Sequence, residues 1–340
     1  MDMKLHMKEE KKKKKKDADV NIDLALRPST WNEYIGQEKV KTNLRLIIDA
    51  AKGRNENCDH LLFYGQPGLG KTTLAYLIGK EMGVATKSTS GPALEKTGDV
   101  AALLTNLEPN EILFIDEAHR INKTVEEILY PAMESRKLHL IVGKGPSART
   151  FSLDLPPFTI IAATTKANLI SAPLRSRFGA TFKLDYYNEN DIEKIIERSA
   201  RLLDVVITKD ARRELANASR FTPRVANRLL KRVRDYAQIY QNNNIDASAV
   251  KKTLELLEID ELGLEHADRQ VLLTIIKKFN GGPVGLSALG SALNEEIGTI
   301  EDMYEPFLMK LGLIHRSPGG RVATQAAYEH LNIPLKKQLI

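Results

Sequence analysis

Gly65-Gln66-Pro67-Gly68-Leu69-Gly70-Lys71-Thr72 carries glycines, a lysine and a hydroxyl at the spacing G-x-x-x-x-G-K-[ST]. This spacing suits the capture of phosphate. Glycines let successive backbone N–H groups turn onto phosphate oxygens, and a following helix adds partial positive charge at its N-terminus. Lys71 is placed to bridge the β- and γ-phosphates of ATP, and the Thr72 hydroxyl to ligate Mg2+. Gly68, Gly70, Lys71, Thr72 and Thr73 are the expected nucleotide-binding residues of the loop. Downstream, Asp116 and Glu117 end the apolar run Ile112-Leu113-Phe114-Ile115. Asp116 can hold the metal with Thr72, and Glu117 can orient and deprotonate an attacking water. An acidic pair in this place argues for hydrolysis rather than nucleotide holding.

Two further sites end or follow buried runs. Thr164 and Thr165 close Phe158-Thr159-Ile160-Ile161-Ala162-Ala163. Either hydroxyl could meet the γ-phosphate or the attacking water, or simply cap the loop that follows. Arg175 and Arg177 lie in Pro173-Leu174-Arg175-Ser176-Arg177-Phe178. An arginine inserted into a neighbouring subunit's site would stabilise developing charge; a surface ion pair is the plainer alternative.

The elements that must position these residues alternate. Short apolar runs at 61–64, 84–88, 111–115, 158–162 and 181–184 read as strands. Helices read at Leu74 to Met82 and around Val40, Leu44, Ile47 and Ile48, whose spacing is helical. Continuously apolar strands separated by helices predict an α/β fold, a parallel sheet covered on both faces. The acids then sit at the C-terminal edge of the sheet, where such sheets bind ligands. After about Tyr186 strands give way to four helices, 189–203, 209–219, 223–240 and 247–257, a small all-helical lid domain. From Leu264, three helices and a hairpin turning at Ser317-Pro318-Gly319-Gly320 predict a winged-helix domain. The expected boundaries are a tail over 1–20, a large ATPase domain over 21–185, a lid over 186–258 and the winged domain over 259–340.

Length and composition agree with several domains. The chain has 340 residues, of which 42% are apolar and 28% charged, an ordinary globular mixture. No apolar run is long enough to cross a membrane, and the charged N-terminus lacks the core of a secretory signal. A single cysteine, Cys58, excludes an intrachain disulfide framework and reads as a plain loop thiol. Both features point to the cytoplasm. The net charge of +6 belongs almost wholly to the Lys-rich first 16 residues, which should be disordered and either dispensable or a basic arm for nucleic acid. The near-neutral remainder must bind any nucleic acid through placed charges.

Beyond these motifs, the chain resembles the AAA+ ATPases, and among them the RuvB family of bacterial Holliday-junction branch-migration motors, over about residues 24 to 332. The resemblance rests on Ser90-Gly91-Pro92, Leu129-Tyr130-Pro131-Ala132-Met133-Glu134, Gly143-Lys144-Gly145-Pro146, Leu153-Asp154-Leu155-Pro156-Pro157-Phe158-Thr159, Arg177-Phe178-Gly179, Thr222-Pro223-Arg224 and Gly281-Gly282-Pro283-Val284-Gly285-Leu286. It implies that Thr165 is the first sensor, Arg177 the trans-acting finger and Arg224 the second sensor. It implies further nucleotide contacts at Leu26, Arg27 and Tyr187, and at Glu134, Ser135 and Arg136, the last three from a neighbouring subunit. The hairpin of residues 138–156 would dock a RuvA-type partner protein. Arg316 and Arg321 would touch DNA phosphates on duplex and four-way junctions without reading sequence. The implied assembly is a homo-oligomeric ring, a hexamer, acting in recombination and repair.

Certain positions depart from the family pattern. Gln66 replaces a usual proline, Ala118 a larger aliphatic, Phe221 a glycine, and Gly319 a common third arginine of the wing. The last predicts a salt dependence of DNA binding about one unit shallower. Two other readings share the same motifs: a clamp or helicase loader that uses ATP as a switch, and a DNA scaffold that has lost hydrolysis.

Overall fold

The computed structural model describes residues 22–142, 149–241 and 243–335. The Lys-rich arm and the Gly143-Lys144-Gly145-Pro146 motif lie outside the described residues. The chain forms two compact units, one reaching to Leu203 and including Thr222–Asn227, the other comprising Asp204–Phe221 and the chain from Arg228 onward.

In the first unit, strands β1 (Leu61–Tyr64), β2 (Thr86–Ser90), β3 (Ile112–Asp116), β6 (Thr159–Thr164) and β7 (Ala180–Lys183) form a sheet in the order β2-β3-β6-β1-β7. Every pairing in it is parallel. The central strands are buried on both faces, as their unbroken apolar runs require: β6 is buried along its whole length. Helix α1 (Glu38–Arg54) buries Val40, Leu44, Ile48 and Ala51, one helical stripe. Helix α2 (Lys71–Met82) leaves the phosphate loop directly.

Several helices of this unit were not read from the sequence. Helix α3 (Thr97–Thr105) is short, and α5 (Ala172–Arg175) is a single turn. Helix α4 (Lys123–Ser135) carries Pro131 in its interior, a residue that argues against helix, yet Asn122 caps its start through Val125 N and Leu129, Ala132 and Met133 bury its inner face. Strand β2 also begins later than the apolar run suggested, at Thr86 rather than Val84.

Strands β4 (Lys137–Val142) and β5 (Arg149–Asp154) form an antiparallel hairpin that pairs Leu138 with Leu153 and Leu140 with Phe151. Its base joins the core through Leu138 and Leu155. Strand β5 does not: all its residues are exposed, Phe151 at 51% and Leu153 at 43%. The hairpin thus packs at its root and presents apolar side chains beyond it.

The lid begins with α6 (Glu189–Leu202) in the first unit. Helix α7 (Lys209–Asn217), most of α8 (Pro223–Tyr240) and α9 (Ala247–Leu256) belong to the second. The expectation that strands cease here needs one correction. Val206–Ile207 (β8) and Asn244–Ile245 (β9) pair in parallel as two-residue strands, too short to leave a pattern.

The second unit ends in the winged helix. Helices α10 (His266–Lys278) and α11 (Leu286–Leu293) pack with β10 (Ile314–Ser317) and β11 (Gly320–Ala323), an antiparallel hairpin, around Leu272, Ile275, Phe307, Leu308, Leu313 and Ile314. The single helix expected over 297–311 is instead α12 (Ile297–Thr299), a π turn over Ile300–Tyr304, and α13 (Glu305–Lys310). Pro306 has no N–H to give the preceding turn, so the helix widens there.

Candidate functional site

The phosphate loop joins β1 to α2 at the C-terminal edge of the sheet. Gly68 adopts φ +81°, and a Cβ there would stand 2.9 Å from Cβ of Arg224. Only glycine lets the loop and the Thr222-Pro223-Arg224 corner approach so closely. Arg224 itself is exposed. Lys71 is 7% exposed, and its ammonium donates to the carbonyls of Gly65 (2.8 Å) and Gln66 (2.9 Å). Burial pulls its pKa down to about 8, while Asp116 pushes it up and Arg224 down. A cation this weakly solvated gains strongly from a polyanionic phosphate.

Two tyrosines support the loop from beneath. The hydroxyls of Tyr34 and Tyr187 lie 3.2 Å apart and stand 3.4 and 3.3 Å from the Leu69 carbonyl. Burial raises both pKa values, that of Tyr187 to about 12, so both hydroxyls stay neutral donors. Tyr187 is 5% exposed and touches the loop's own backbone. Tyr34 was missed by sequence reading, since its loop context offered no motif.

The loop meets the acids of β3. The Thr72 hydroxyl donates to Oδ2 of Asp116 at 3.3 Å, and the other carboxylate oxygen accepts from the backbone N–H of Glu117 at 2.9 Å. A hydroxyl and a carboxylate at the phosphate loop are the donor pair that Mg2+ takes, with phosphate and water completing its octahedron. Among the described residues no group of three His, Cys, Asp or Glu could hold a metal, so any Mg2+ here relies on oxygens of that kind. Glu117 sits at φ +49°, a left-handed bend that turns the chain off the strand end. Gly91 makes room for it, because a Cβ there would lie 2.4 Å from the Glu117 carbonyl oxygen. Its carboxylate is half-exposed and pairs with Arg120 at 3.2 Å.

The two threonines at the end of β6, Thr164 inside the strand and Thr165 just beyond it, separate cleanly. Thr164 is buried; its hydroxyl lies 3.0 Å from Nδ1 of His119 and accepts from the backbone of Lys166. Thr165 is exposed. His119, another residue sequence reading passed over, ties the strand of the acids to the strand of the threonines.

Arg177 is held away from the loop. Its guanidinium pairs with Glu134 (2.9 Å), donates to the Pro173 carbonyl (2.6 Å) and lies over the ring of Tyr130 at 4.3 Å. Arg175 is exposed. Ser135 donates to the Pro131 carbonyl, and Arg136, in the left-handed C-cap of α4, reaches Asn57. Glu134 to Arg136 and Arg177 therefore share one patch. Leu26 is buried, Arg27 is exposed, and both carbonyls accept from Arg198. Arg316 and Arg321 stand opposite each other in the wing, joined by one carboxylate, Glu305.

The fold and site define a P-loop ATPase with an AAA lid and a winged helix. Residues 26–184 match the Holliday junction DNA helicase RuvB P-loop domain, 187–260 the RuvB AAA lid domain and 261–332 the RuvB C-terminal winged helix domain. The chain belongs to the RuvB family. It is 55% identical over 320 residues to the Holliday junction branch migration complex subunit RuvB of Chloroflexus aggregans, covering 94% of this chain and 91% of that one. Among solved structures it resembles the Thermotoga maritima RuvB Holliday junction branch migration motor, with TM-score 0.83 and 47% identity over 92% of this chain and 100% of the other. A threonine-to-valine form of the same protein gives TM-score 0.84 at 46% identity over 92% of this chain and 100% of that one.

Proposed function

We propose that this chain is the ATP-hydrolysing motor subunit of a Holliday-junction branch-migration complex. The observation that carries the reading is the junction of Thr72 with Asp116, which brings phosphate loop and acids to one place. Lys71 releases the loop carbonyls to bind β- and γ-phosphates. Thr72 and Asp116 would hold Mg2+, which neutralises phosphate charge when bound. Glu117 accepts the proton of the attacking water. Thr165, rather than the engaged Thr164, reports on the γ-phosphate.

The remaining roles rest on family membership and placement. Leu26, Arg27 and Tyr187 line the nucleotide. Arg224, set against Gly68, reaches it from the first turn of α8 and couples lid angle to nucleotide state. Arg177, with Glu134, Ser135 and Arg136 beside it, serves the site of the next subunit. A finger in trans needs a head-to-tail interface, which closes into a ring, here a hexamer. The exposed Phe151 and Leu153 of the hairpin dock a RuvA-type protein. Arg316 and Arg321 grip duplex phosphates, and the ring works on DNA in the cytoplasm. No helix among the described residues is long and apolar enough to cross a membrane.

Glu117→Gln tests the catalytic core. ATP turnover should fall about 10²- to 10⁴-fold, the usual worth of a positioned base, with nucleotide binding retained. Unchanged turnover would remove Glu117 from the mechanism.

A further inference from the structure

The wing presents a problem of like charge. Arg316 and Arg321 are direct partners across the β10–β11 hairpin. Arg321 spends its backbone N–H and C=O on Val284 at the other side, at 2.8 and 3.0 Å. The two arginines are therefore a non-hydrogen-bonded pair, the closer of the two antiparallel spacings, with side chains on one face. Like charges placed so repel.

One buried carboxylate resolves this. Glu305 is 1% exposed, and its Oε1 accepts from Nε of Arg316 (2.6 Å) and from Nε of Arg321 (3.0 Å). Its Oε2 accepts from Nη2 of Arg321 at 3.0 Å. Burial pushes the carboxyl pKa up, but the two arginines outweigh it and hold it below the usual range. Glu305 starts α13, immediately after the π turn over Ile300–Tyr304. The Nε edge of each guanidinium is occupied. Arg316 is half-exposed and Arg321 mostly buried, which leaves their remaining N–H groups as a fixed, unequal pair of donors.

We infer that Glu305 is the positioning residue of the DNA grip: it holds Arg316 and Arg321 as a preset two-pronged clamp for adjacent phosphates. The inference rests on the proposed DNA contact by these arginines. A preset clamp forfeits less side-chain entropy on binding than two loose arginines. At Glu305 two cations share one anion, and Glu301 also stands 3.8 Å from Nη2 of Arg316. Simple electrostatics predicts the opposite effect for the carboxylate, since an anion near DNA weakens binding.

That opposition supplies the test. Duplex binding by the full chain is titrated across salt concentrations for the parent, Glu305→Gln, Arg316→Ala, Arg321→Ala, the double arginine variant, and the double variant with Glu305→Gln. Each arginine variant should lower the salt slope by about one unit. Glu305→Gln should weaken binding about tenfold at fixed salt although it removes a negative charge. In the double arginine background the same substitution should weaken nothing. Thermal unfolding of each variant checks the fold, and Glu305→Asp, which keeps the charge but withdraws it by a methylene, should also weaken binding. If the arginine variants bind less but Glu305→Gln or Glu305→Asp binds as tightly as the parent or tighter, the positioning role is overturned. If the arginine variants keep both affinity and slope, the DNA contact itself falls, and the inference with it.

Discussion

The hydroxyl of Thr72 and the carboxylate of Asp116 stand 3.3 Å apart, one from the first turn of α2 and the other from the last residue of β3. Forty-odd residues of chain separate them, and only the parallel sheet brings them together. Their proposed shared task as metal ligands gives the first prediction. Thr72→Val keeps the shape and loses the oxygen. Nucleotide titrations with and without Mg2+ should show a large Mg2+-dependent gain for the parent and little for the variant, with turnover down at least about tenfold.

The setting of Arg177 gives the second. Its partners Glu134, Tyr130 and Pro173 lie outside the phosphate loop, which fits the proposed role at another subunit's site. Arg177→Ala and Lys71→Ala should each abolish most turnover, the former by about 10³- to 10⁵-fold. Mixing the two variants should restore part of it, because intact fingers then meet intact loops. A mixture as inactive as its components would place the finger in cis.

Phe221 is a departure with a measurable consequence. It sits at φ +55°, a conformation that favours glycine. What offsets the strain is its ring, set edge-on to Phe307 at 6.3 Å with the ammonium of Lys310 5.5 Å from its centre. Phe221→Ala keeps the strain and loses the packing; Phe221→Gly loses both. In urea unfolding both should be destabilised, the glycine variant less than alanine by about 1 kcal/mol. Equal midpoints would deny the strain.

Cys58 is a buried thiol beside Met82, and burial, aided by the neighbouring charge of Asp59, pushes its pKa to about 11. At pH 8 only about one molecule in a thousand carries the thiolate, the reactive form. The folded chain should resist a disulfide-exchange reagent at pH 8 and react fully in denaturant, and reactivity should climb as pH rises toward 11. Rapid labelling of the native chain would contradict the burial.

Much of this was legible in the sequence. The phosphate loop is a local motif, and the apolar runs of β1, β3 and β6 are long enough to show a doubly covered parallel sheet. What escaped depends on contacts distant in sequence or on unusual local backbone. Pro131 concealed α4, whose cap and buried face outweigh it. Tyr34 and His119 act through Leu69 and Thr164, partners that no spacing rule connects to them. Spacing alone left Thr164 and Thr165 open, the resemblance pointed to Thr165, and the structure adds the contact of Thr164 with His119. Glu305 was invisible because its helix is broken by a π turn that a 3.6-residue pattern does not anticipate. Gly319, expected merely to lack an arginine, also abuts Pro283: a Cβ there would stand 3.0 Å from the ring.

The central claim is that ATP hydrolysis here moves a DNA crossover. It is tested most directly by following strand separation of a four-way junction and ATP turnover together, with a RuvA-type protein present or absent. The account predicts that junction and partner together accelerate turnover and that the junction resolves into duplex arms, with neither effect in Glu117→Gln. Turnover that proceeds while the junction stays intact would contradict it.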